Sequence, residues 1–498
     1  MARHLHPTRR GVFAVLTISA GLYLAGRLAT AQQDRSESPA DPVAGPRSAD
    51  IDRYVLLQMD RNEIPALALA VIEDGEVVHK KAYGLANIEL DVPARSSNLF
   101  QLSSTTKLFA AVAVLRLVEQ GRLGLDEPIA DFLPDLPQDW RRVTVRQLLG
   151  HLSGLPGLTE SVAAHARTEV LDSMKSLPML NAPGERFRYN QTNYFLLAII
   201  AERVSGLGFE ELMKLELFEP AGMTATVFAG GHRDIVTGRA TTYVPDADGV
   251  LRVRAQDFPP HAYAGAGLNS NLDDLVRFDR ALDSGALLDD AMRTVMWDQT
   301  ATDDGQPTGY GLGWGVRVDS VGPVLTALSH QGGFMTTFRK YPEVGLTVIV
   351  LTNGYRAAID PDAIADGVAA IFEPRAQEPA HRLTDEMWAL ISAGDSAAAV
   401  QLYRAFVRDS AATAFETGRA ILSLGNALFA TDRFDDAVLV LRLNVEAFPR
   451  GSSVRQSLGE ALLAAGDTAE AIETLEEALV YDSGNAEVKR VLETLGAP

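Results

Sequence analysis

The chain has no cysteine among its 498 residues. Thiol nucleophiles, thiolate-bound metals and disulfide bridges are therefore excluded, and folding outside the cytoplasm requires no disulfide. Also missing are the His-Glu-x-x-His zinc motif, the Walker loop and the dinucleotide-binding glycine fingerprint. No serine stands in a Gly-x-Ser-x-Gly elbow, since Ser153, in GHLSG, has the wrong spacing. We therefore predict neither a metal nor a cofactor.

The chain has fewer basic than acidic residues. The 45 Lys and Arg residues against 65 Asp and Glu residues give a formal net charge of −20. Nucleic acids and anionic membrane surfaces repel such a chain, so neither is expected as a partner. The 47% hydrophobic and 22% charged residues are typical of a globular protein, here long enough for two or more domains.

A long apolar run occupies residues 11–26, with arginines before it and the small residues ATA at 29–31 after it. This pattern predicts a secretory signal peptide over 1–31, and an uncleaved N-terminal membrane anchor is the alternative. Residues 32–50 are polar and Pro-rich, which predicts a flexible tether. Either interpretation predicts an exported protein, periplasmic or extracellular.

Ser104 and Lys107 stand at the start of a predicted helix that is apolar from Leu108 to Val118. Three-residue spacing places the hydroxyl and the amine on one helix face, where the amine can draw off the hydroxyl proton. This arrangement makes a serine nucleophilic without histidine. The alternative is that Ser104 only caps the helix.

Two further motifs follow in the chain. Tyr189 closes an extended stretch in RYNQ, and the apolar helix after it is predicted to stop at Gly206. His330 begins HQGG in a segment whose alternation and apolar run predict a strand, with turn residues around Pro342 and Gly345.

With these motifs in order, the chain resembles the serine β-lactamase and penicillin-binding-protein-like family, specifically its class C-like and esterase branch, over residues 51–373. Flanking phrases such as QLLGHLSGLPG, YGLGWGV and AGLNSNLDDLVRF extend the resemblance. It implies a nucleophile at Ser104, a proton-shuttling amine at Lys107 and a phenolic base or acid at Tyr189. It also implies an oxyanion hole from the amides of Ser104 and Gly333.

Two positions depart from the family pattern, and the resemblance assigns both to substrate binding together with Gly332 and Gly333. The second motif commonly ends in Asn, whereas this chain has Gln191. The third motif commonly begins with Lys in true β-lactamases, whereas His330, with an ordinary pKa of about 6.5, is largely neutral. Antibiotic hydrolysis is therefore disfavoured relative to ester, amide or peptide hydrolysis.

Structural readings of three of these residues stay open. Tyr189 also fits a core aromatic with a satisfied hydroxyl. His330 also fits a structural strand residue, and Gln191 also fits ordinary turn chemistry.

The order of predicted helices and strands after residue 50 indicates an α+β fold. A helix over 51–61 precedes two strands joined at Asp74-Gly75, a strong hairpin signal. A mainly helical middle follows, and strands return after Tyr310 and end near Thr352. We expect an antiparallel sheet flanked by helices, with a helical region inserted between its N- and C-terminal strands.

After a predicted linker at 374–383, residues 384–498 become rich in Ala, Leu and Glu. The pattern beginning at Leu424-Gly425 recurs 34 residues later at Leu458-Gly459, which resembles tetratricopeptide repeats. Such an all-α repeat domain predicts a surface for a protein partner, and the alternatives are a structural cap or a generic helical hairpin tail.

The predicted function is that of a serine hydrolase acting through an acyl-enzyme on a small-molecule or peptide substrate with an ester or amide bond. The alternative is a catalytically weak scaffold whose helical repeats recruit a partner. The sequence leaves the substrate open among esters, D-amino-acid peptides and β-lactams.

Overall fold

The structure, a computed structural model, describes residues 43–157, 167–246, 249–317, 324–356, 359–409 and 414–496. The predicted signal segment and the tether up to residue 42 lie outside the described residues. From Val43 the tether prediction is wrong, because Val43 and Ala44 pair with Lys80 and His79 in a sheet. None of the described helices is long and apolar enough to cross a membrane.

The strands of the described residues are, in chain order, β1 (Val43–Ala44), β2 (Ala66–Glu73), β3 (Glu76–Asn87), β4 (Val92–Pro93), β5 (Phe100–Gln101), β6 (Val227–Phe228), β7 (Tyr243–Pro245), β8 (Leu251–Val253), β9 (Leu268–Ser270), β10 (Gly315–Arg317), β11 (Ala327–Gly332), β12 (Thr336–Tyr341) and β13 (Leu346–Thr352). Eight of them form one antiparallel sheet in the order β1-β3-β2-β13-β12-β11-β10, with β4 pairing with β3. A three-stranded sheet has the order β5-β9-β6, and β7 pairs with β8.

The hairpin predicted at Asp74-Gly75 is confirmed. It joins β2 to β3, and both turn residues have positive φ, 51° at Asp74 and 82° at Gly75, as a two-residue hairpin turn requires. The N- and C-terminal strands meet at the centre of the sheet, where Ala70 on β2 faces Ile349 on β13. The predicted antiparallel sheet built from both ends of the domain is therefore confirmed.

The α-helices of the first 370 residues, within the described ranges, are α1 (Ser48–Arg61), α2 (Thr106–Glu119), α3 (Val145–Leu149), α4 (Arg167–Lys175), α5 (Gln191–Ser205), α6 (Phe209–Met213), α7 (Glu219–Ala221), α8 (Tyr263–Ala266), α9 (Leu272–Asp283), α10 (Asp290–Trp297) and α11 (Pro361–Ala370). A π-helix links α6 to α7 at Lys214–Phe218. Short 3-10 helices lie at Ser103–Thr105, Ile129–Asp131, Gln138–Trp140, Pro260–Ala262, Pro342–Val344 and Pro374–Ala376.

Both faces of the main sheet are covered. Along β2, Ala68 and Ala70 contact the core under α2, whereas Leu67 and Leu69 contact the core under α1 and α11. The alternation follows from the two-residue period of a strand. The sheet is therefore the middle layer between two helical layers, and α2 is buried because the inserted helical region packs over it.

The C-terminal part is all helical, with α12 (Pro379–Ser392), α13 (Ser396–Asp409), α14 (Ala414–Ala430), α15 (Phe434–Ala447), α16 (Ser452–Ala465), α17 (Thr468–Tyr481) and α18 (Ala486–Leu495). A Cβ on Gly425 would lie 2.5 Å from the Leu441 side chain, and one on Gly459 would lie 2.6 Å from Leu475. The 34-residue period is thus present in the helix packing. Its assignment to tetratricopeptide repeats stays a prediction.

Asp385 on α12 connects these helices to the part of the protein that contains the main sheet. Its carboxylate accepts hydrogen bonds from Tyr54 (3.1 Å), Gln58 (2.9 Å), Arg61 (2.9 Å) and Gln377 (2.7 Å). Three of the donors belong to α1. A carboxylate that accepts four hydrogen bonds holds α12 against α1, the helix that covers one face of the main sheet.

The predicted linker at 374–383 contains the 3-10 turn Pro374–Ala376 and the first residues of α12, which begins at Pro379. Ala376 is fully buried. Helix formation thus starts five residues before the predicted repeat boundary, because Pro379 occupies the first turn of a helix without losing a hydrogen bond. The division into two domains stays a prediction.

Candidate active site

Ser104 lies in the 3-10 turn Ser103–Thr105 that leads into α2, and its Oγ is 3.2 Å from Lys107 Nζ. The hydroxyl–amine contact expected from the three-residue spacing is therefore present. Ser103 has φ +49°, a left-handed conformation that costs a non-glycine residue free energy. The backbone before Ser104 is thus held in a strained turn.

Lys107 is fully buried, and its Nζ donates a hydrogen bond to the Gly265 carbonyl at 2.9 Å. The amine also lies 4.8 Å from the centre of the Tyr189 ring. Burial lowers the pKa of Lys107 well below its ordinary value because the charged form loses its hydration. A neutral amine keeps a lone pair, which can accept the Ser104 proton.

Tyr189 closes the site on the side of β11. Although 47% of the residue is exposed, its hydroxyl lies 3.2 Å from Nε2 of the buried His330. Burial raises the pKa of Tyr189, and a hydrogen bond with Ser104 partly offsets that effect. The phenol is therefore protonated at neutral pH and in contact with the Ser104 hydroxyl.

The surroundings of His330 fix its tautomer. Its Nδ1 lies 3.0 Å from the Gly313 carbonyl, which can only accept, so we assign the ring proton to Nδ1. Nε2 is then an acceptor, and the Tyr189 hydroxyl donates to it. Burial lowers the pKa of His330 to about 3. His330 is neutral at physiological pH, as the sequence indicates.

The strand that carries His330 packs directly against the Ser104 turn. The Thr105 hydroxyl donates to the His330 carbonyl at 3.0 Å, and the Thr336 hydroxyl donates to the Leu102 carbonyl at 2.9 Å. A Cβ on Gly332 would lie 2.0 Å from the Leu102 oxygen, so only glycine permits this approach. Gly332 therefore sets the distance between β11 and the turn.

Two backbone N–H groups near the Ser104 turn are free. In the described part of the chain, neither the Ser104 N–H nor the Gly333 N–H donates a hydrogen bond within the protein. Ser104 N–H is one of the free donors at the start of a helix, and a Cβ on Gly333 would lie 3.7 Å from Ser103 Oγ. Free backbone N–H groups are the donors from which oxyanion holes are built, so the predicted role of this pair stays open to test.

Gln191 is the first residue of α5 and is exposed. A Cβ on Gly265 would lie 2.3 Å from Gln191 Oε1, so the carboxamide lies against the residue whose carbonyl holds Lys107. Its neighbour Asn190 instead caps α5, accepting from Thr192 N–H and donating to the Leu155 carbonyl at 2.7 Å. Gln191 is therefore free to contact a substrate, whereas Asn190 is structural.

The structure brings all seven predicted residues close to the Ser104 turn: Ser104, Lys107, Tyr189, Gln191, His330, Gly332 and Gly333. Their chemical roles stay predictions.

The sequence reasoning missed His151. Its ring lies 4.4 Å from the Tyr189 ring, and its Nδ1 accepts from Asn190 N–H (3.2 Å) and Asn193 Nδ2 (2.9 Å). Burial, with Lys107 and His330 nearby, lowers its pKa well below the ordinary value. This neutral ring supports Tyr189 from behind. His151 stands in the phrase QLLGHLSGLPG, which does not indicate these contacts; in the structure it occupies a turn with a positive φ of 57°.

Two more groups that hold His330 in place lie in YGLGWGV, a phrase to which the sequence analysis assigned no roles. The Tyr310 hydroxyl is 3.1 Å from His330 Nδ1, and the Gly313 carbonyl fixes the tautomer of that ring.

Ser153 has a structural role, since its hydroxyl donates to Asn193 at 2.6 Å in the core.

The antiparallel sheet with its helices and the Ser-x-x-Lys turn define the fold class of penicillin-recognising serine hydrolases. A family model described as Beta-lactamase matches residues 51–370, so the chain belongs to the β-lactamase family. Among curated proteins, the chain is 28% identical over 301 residues to Penicillin-binding protein 4* of Bacillus subtilis strain 168. That match covers 56% of this chain and 66% of the relative, just under two thirds of the relative's length.

Solved structures agree with this family. The octameric penicillin-binding protein homologue from Pyrococcus abyssi is 26% identical with a TM-score of 0.58, over 68% of this chain and 81% of that chain. D-amino acid amidase from Ochrobactrum anthropi SV3, complexed with D-phenylalanine, is 25% identical with a TM-score of 0.54, over 66% and 98%.

Proposed function

We propose that the protein is a serine acyl hydrolase that cleaves an ester or amide through a covalent acyl-enzyme on Ser104. The observation that carries the proposal is the 3.2 Å contact between Ser104 Oγ and the buried Lys107 amine. A lysine held neutral by burial serves as a base near neutral pH, which an exposed lysine does not.

In acylation, the Lys107 lone pair takes the Ser104 proton as Oγ forms a bond to the substrate carbonyl carbon. The carbonyl oxygen becomes an oxyanion held by the N–H groups of Ser104 and Gly333. The bond to the leaving group then breaks, and the proton returns to the leaving oxygen or nitrogen through Lys107 and Tyr189. For Tyr189 to pass this proton on, its O–H turns from His330 to the leaving group while its lone pair accepts from Lys107.

Deacylation repeats these steps with water as the nucleophile. The Lys107 amine accepts the proton of the water, whose oxygen attacks the acyl carbon, and then returns that proton to Ser104 Oγ. Ser104 leaves with its proton restored, and the product is a free acid.

The neutrality of His330 supports ester and amide substrates over antibiotic β-lactams. A lysine at this position brings a positive charge toward a substrate carboxylate, whereas a histidine with a pKa of about 3 brings none. The structural likeness to a D-amino acid amidase supports amides of D-amino acids as candidate substrates.

The decisive experiment is replacement of the nucleophile. Ser104→Ala is expected to abolish hydrolysis of p-nitrophenyl esters and labelling by a fluorophosphonate probe. Mass spectrometry of the wild type should find the adduct on Ser104. Ser176→Ala, at an exposed serine, is the matched control and should keep both properties.

Ester hydrolysis by Ser104→Ala at the wild-type rate would disprove the proposal. Failure of the wild type to form any adduct with esters, D-amino acid amides or penicillins would favour the alternative of a scaffold that recruits partners through α12–α18. Export of the chain and a protein partner of these helices stay predictions, tested by cell fractionation and by affinity capture with the full chain.

A further inference from the structure

A cavity of about 630 Å³ lies between the start of α4, the last turn of α5, α6 and the 3-10 helix Pro260–Ala262 that leads into α8. This volume is within the range of small-molecule binding sites. None of the seven predicted site residues around Ser104 lines it. The cavity is therefore separate from the candidate active site.

His261 is a buried polar side chain that lines this cavity. Only 6% of the residue is exposed, and neither ring nitrogen has a hydrogen-bond partner in the described part of the chain. Burial, with the Arg167 guanidinium nearby, lowers the pKa of His261, so the ring is neutral at physiological pH. A neutral imidazole has one N–H and one lone pair, and burying both without partners costs free energy. His261 therefore offers one donor and one acceptor to a ligand.

The charged residues that line the cavity leave one carboxylate without a cation. Arg167 pairs with Glu202 at 2.6 Å, and Glu211 lies 3.9 Å from Lys214. Glu210 forms no ion pair within the described ranges. Partial burial raises the pKa of Glu210, because its carboxylate loses some of its hydration. The cavity thus has an excess of negative charge that a bound cation would balance.

The rest of the cavity wall is largely apolar, and its members are Phe209, Pro259, Pro260 and Tyr263. The Tyr263 ring stacks on the Phe228 ring, with 5.1 Å between the ring centres and an angle of 12° between the planes. Stacking holds this aromatic side chain in place, and aromatic faces attract cations. A ligand that fits these walls has an apolar body next to a positive group.

We propose that this cavity binds a small organic amine in its protonated form. The ammonium group pairs with Glu210 and donates a hydrogen bond to the lone-pair nitrogen of His261, while the apolar body packs against Phe209 and Tyr263. A metal ion fits less well, since the described residues contain no group of three or more metal-binding side chains. The inference does not depend on the proposed hydrolase function.

The test compares two ligands of the same shape, 2-phenylethylamine and 2-phenylethanol, by isothermal titration calorimetry at about pH 7, where the amine is protonated. The two ligands share an aromatic body and differ only in the ammonium or hydroxyl group. We expect the amine to bind roughly 10-fold more tightly or better, the effect of a charge-assisted hydrogen bond. Equal affinities, or no binding of the amine at millimolar concentration, would overturn the inference.

Glu210→Gln removes the charge and keeps the shape of the side chain. We expect it to weaken binding of the amine about 10- to 100-fold and to leave binding of the alcohol unchanged. His261→Phe should weaken binding of the amine about 3- to 10-fold, through loss of one hydrogen bond. Glu219→Gln is the matched control, since Glu219 is 57% exposed, lies near Lys214 and does not line the cavity. Unchanged binding in Glu210→Gln, or an equal fall in Glu219→Gln, would contradict the proposed site.

A second measurement uses only the wild type, so it does not depend on the folding of any variant. The protein is irradiated with 2-(4-azidophenyl)ethylamine, and the adduct is located by mass spectrometry of its peptides. We expect the adduct within residues 208–211 or 259–263, and an excess of 2-phenylethylamine should prevent it. Adducts confined to other segments, the Ser104 turn included, would refute the inference. Ester turnover and Ser104→Ala test the hydrolase function separately, so failure of either proposal is distinguishable from failure of the other.

Discussion

At the scale of single residues, Lys107 has an amine that is removed from water and surrounded by neutral groups: the Ser104 hydroxyl, the Gly265 carbonyl and the Tyr189 ring. Such burial costs folding free energy, because the unfolded lysine is protonated and hydrated. If Lys107 is the base of the proposed mechanism, the protein gives up stability to keep it uncharged next to Ser104, a trade found at many active sites.

Lys107→Met should therefore lose activity and gain stability. We expect kcat/KM for a p-nitrophenyl ester to fall by about 10²- to 10⁴-fold, the contribution of a general base. Near pH 7 the unfolded wild type binds a proton that the folded amine does not, so the wild type is the less stable protein and the variant melts higher by about a few degrees. The gain should shrink as the pH approaches the ordinary lysine pKa of 10.5.

Thermal unfolding followed at about pH 7 and about pH 10 checks the sign of this prediction. A variant that is less stable than the wild type at both values would show that Lys107 is not held neutral at a cost.

At the scale of elements, the site depends on how closely β11 approaches the 3-10 turn before α2. The absence of a side chain at Gly332 permits this approach, since a Cβ there would lie 2.0 Å from the Leu102 oxygen and 2.2 Å from Thr336 Oγ1. The two elements are also joined by the bond from the Thr105 hydroxyl to the His330 carbonyl. Any separation moves His330 and the Gly333 amide away from Ser104.

Gly332→Ala should thus reduce both activity and stability. We expect kcat/KM to fall at least about 10²-fold, because loss of one oxyanion donor has this effect, and the free energy of unfolding to fall by about 1–3 kcal/mol from overpacking. Urea unfolding and ester turnover measure the two quantities. Gly157→Ala is the control, since a Cβ there meets no atom within 4 Å; equal behaviour of the two variants would disprove the role of Gly332.

These elements also show where sequence reasoning succeeds. The Ser104–Lys107 contact follows from local helix geometry, and the hairpin at Asp74-Gly75 follows from turn chemistry, so both are predictable from a few neighbouring residues. Gly265 is 158 residues from Lys107 in the chain, and its carbonyl reaches the amine only through tertiary packing. His151 escaped notice for the same reason, because its partners Tyr189, Asn190 and Asn193 are about 40 residues away in the chain.

At the scale of the whole molecule, the C-terminal helices are anchored at one carboxylate. Asp385 and its partner Arg61 have side chains only 16% and 9% exposed. Removing one member of a buried ion pair leaves the other charge without compensation, which is strongly unfavourable.

Asp385→Ala is expected to lower the free energy of unfolding by about 3–5 kcal/mol and to leave the hydrolytic site assembled. Chemical denaturation and ester turnover at a temperature below the transition test the two parts of this statement. Asp172→Ala, at a 74% exposed aspartate paired with Lys175, should change neither. A stability loss no greater than that of the Asp172 variant would show that α12 is held by its apolar contacts alone.

The pairing of β2 with β13 at the centre of the sheet has a consequence for biosynthesis. Residues 66–73 leave the ribosome long before their partner at 346–352 exists, so one edge of an apolar strand waits unpaired through most of translation. A polypeptide arrested before residue 346 keeps that edge open to other chains. The central pairing of strands from both ends therefore delays completion of the sheet until residue 352 has been made.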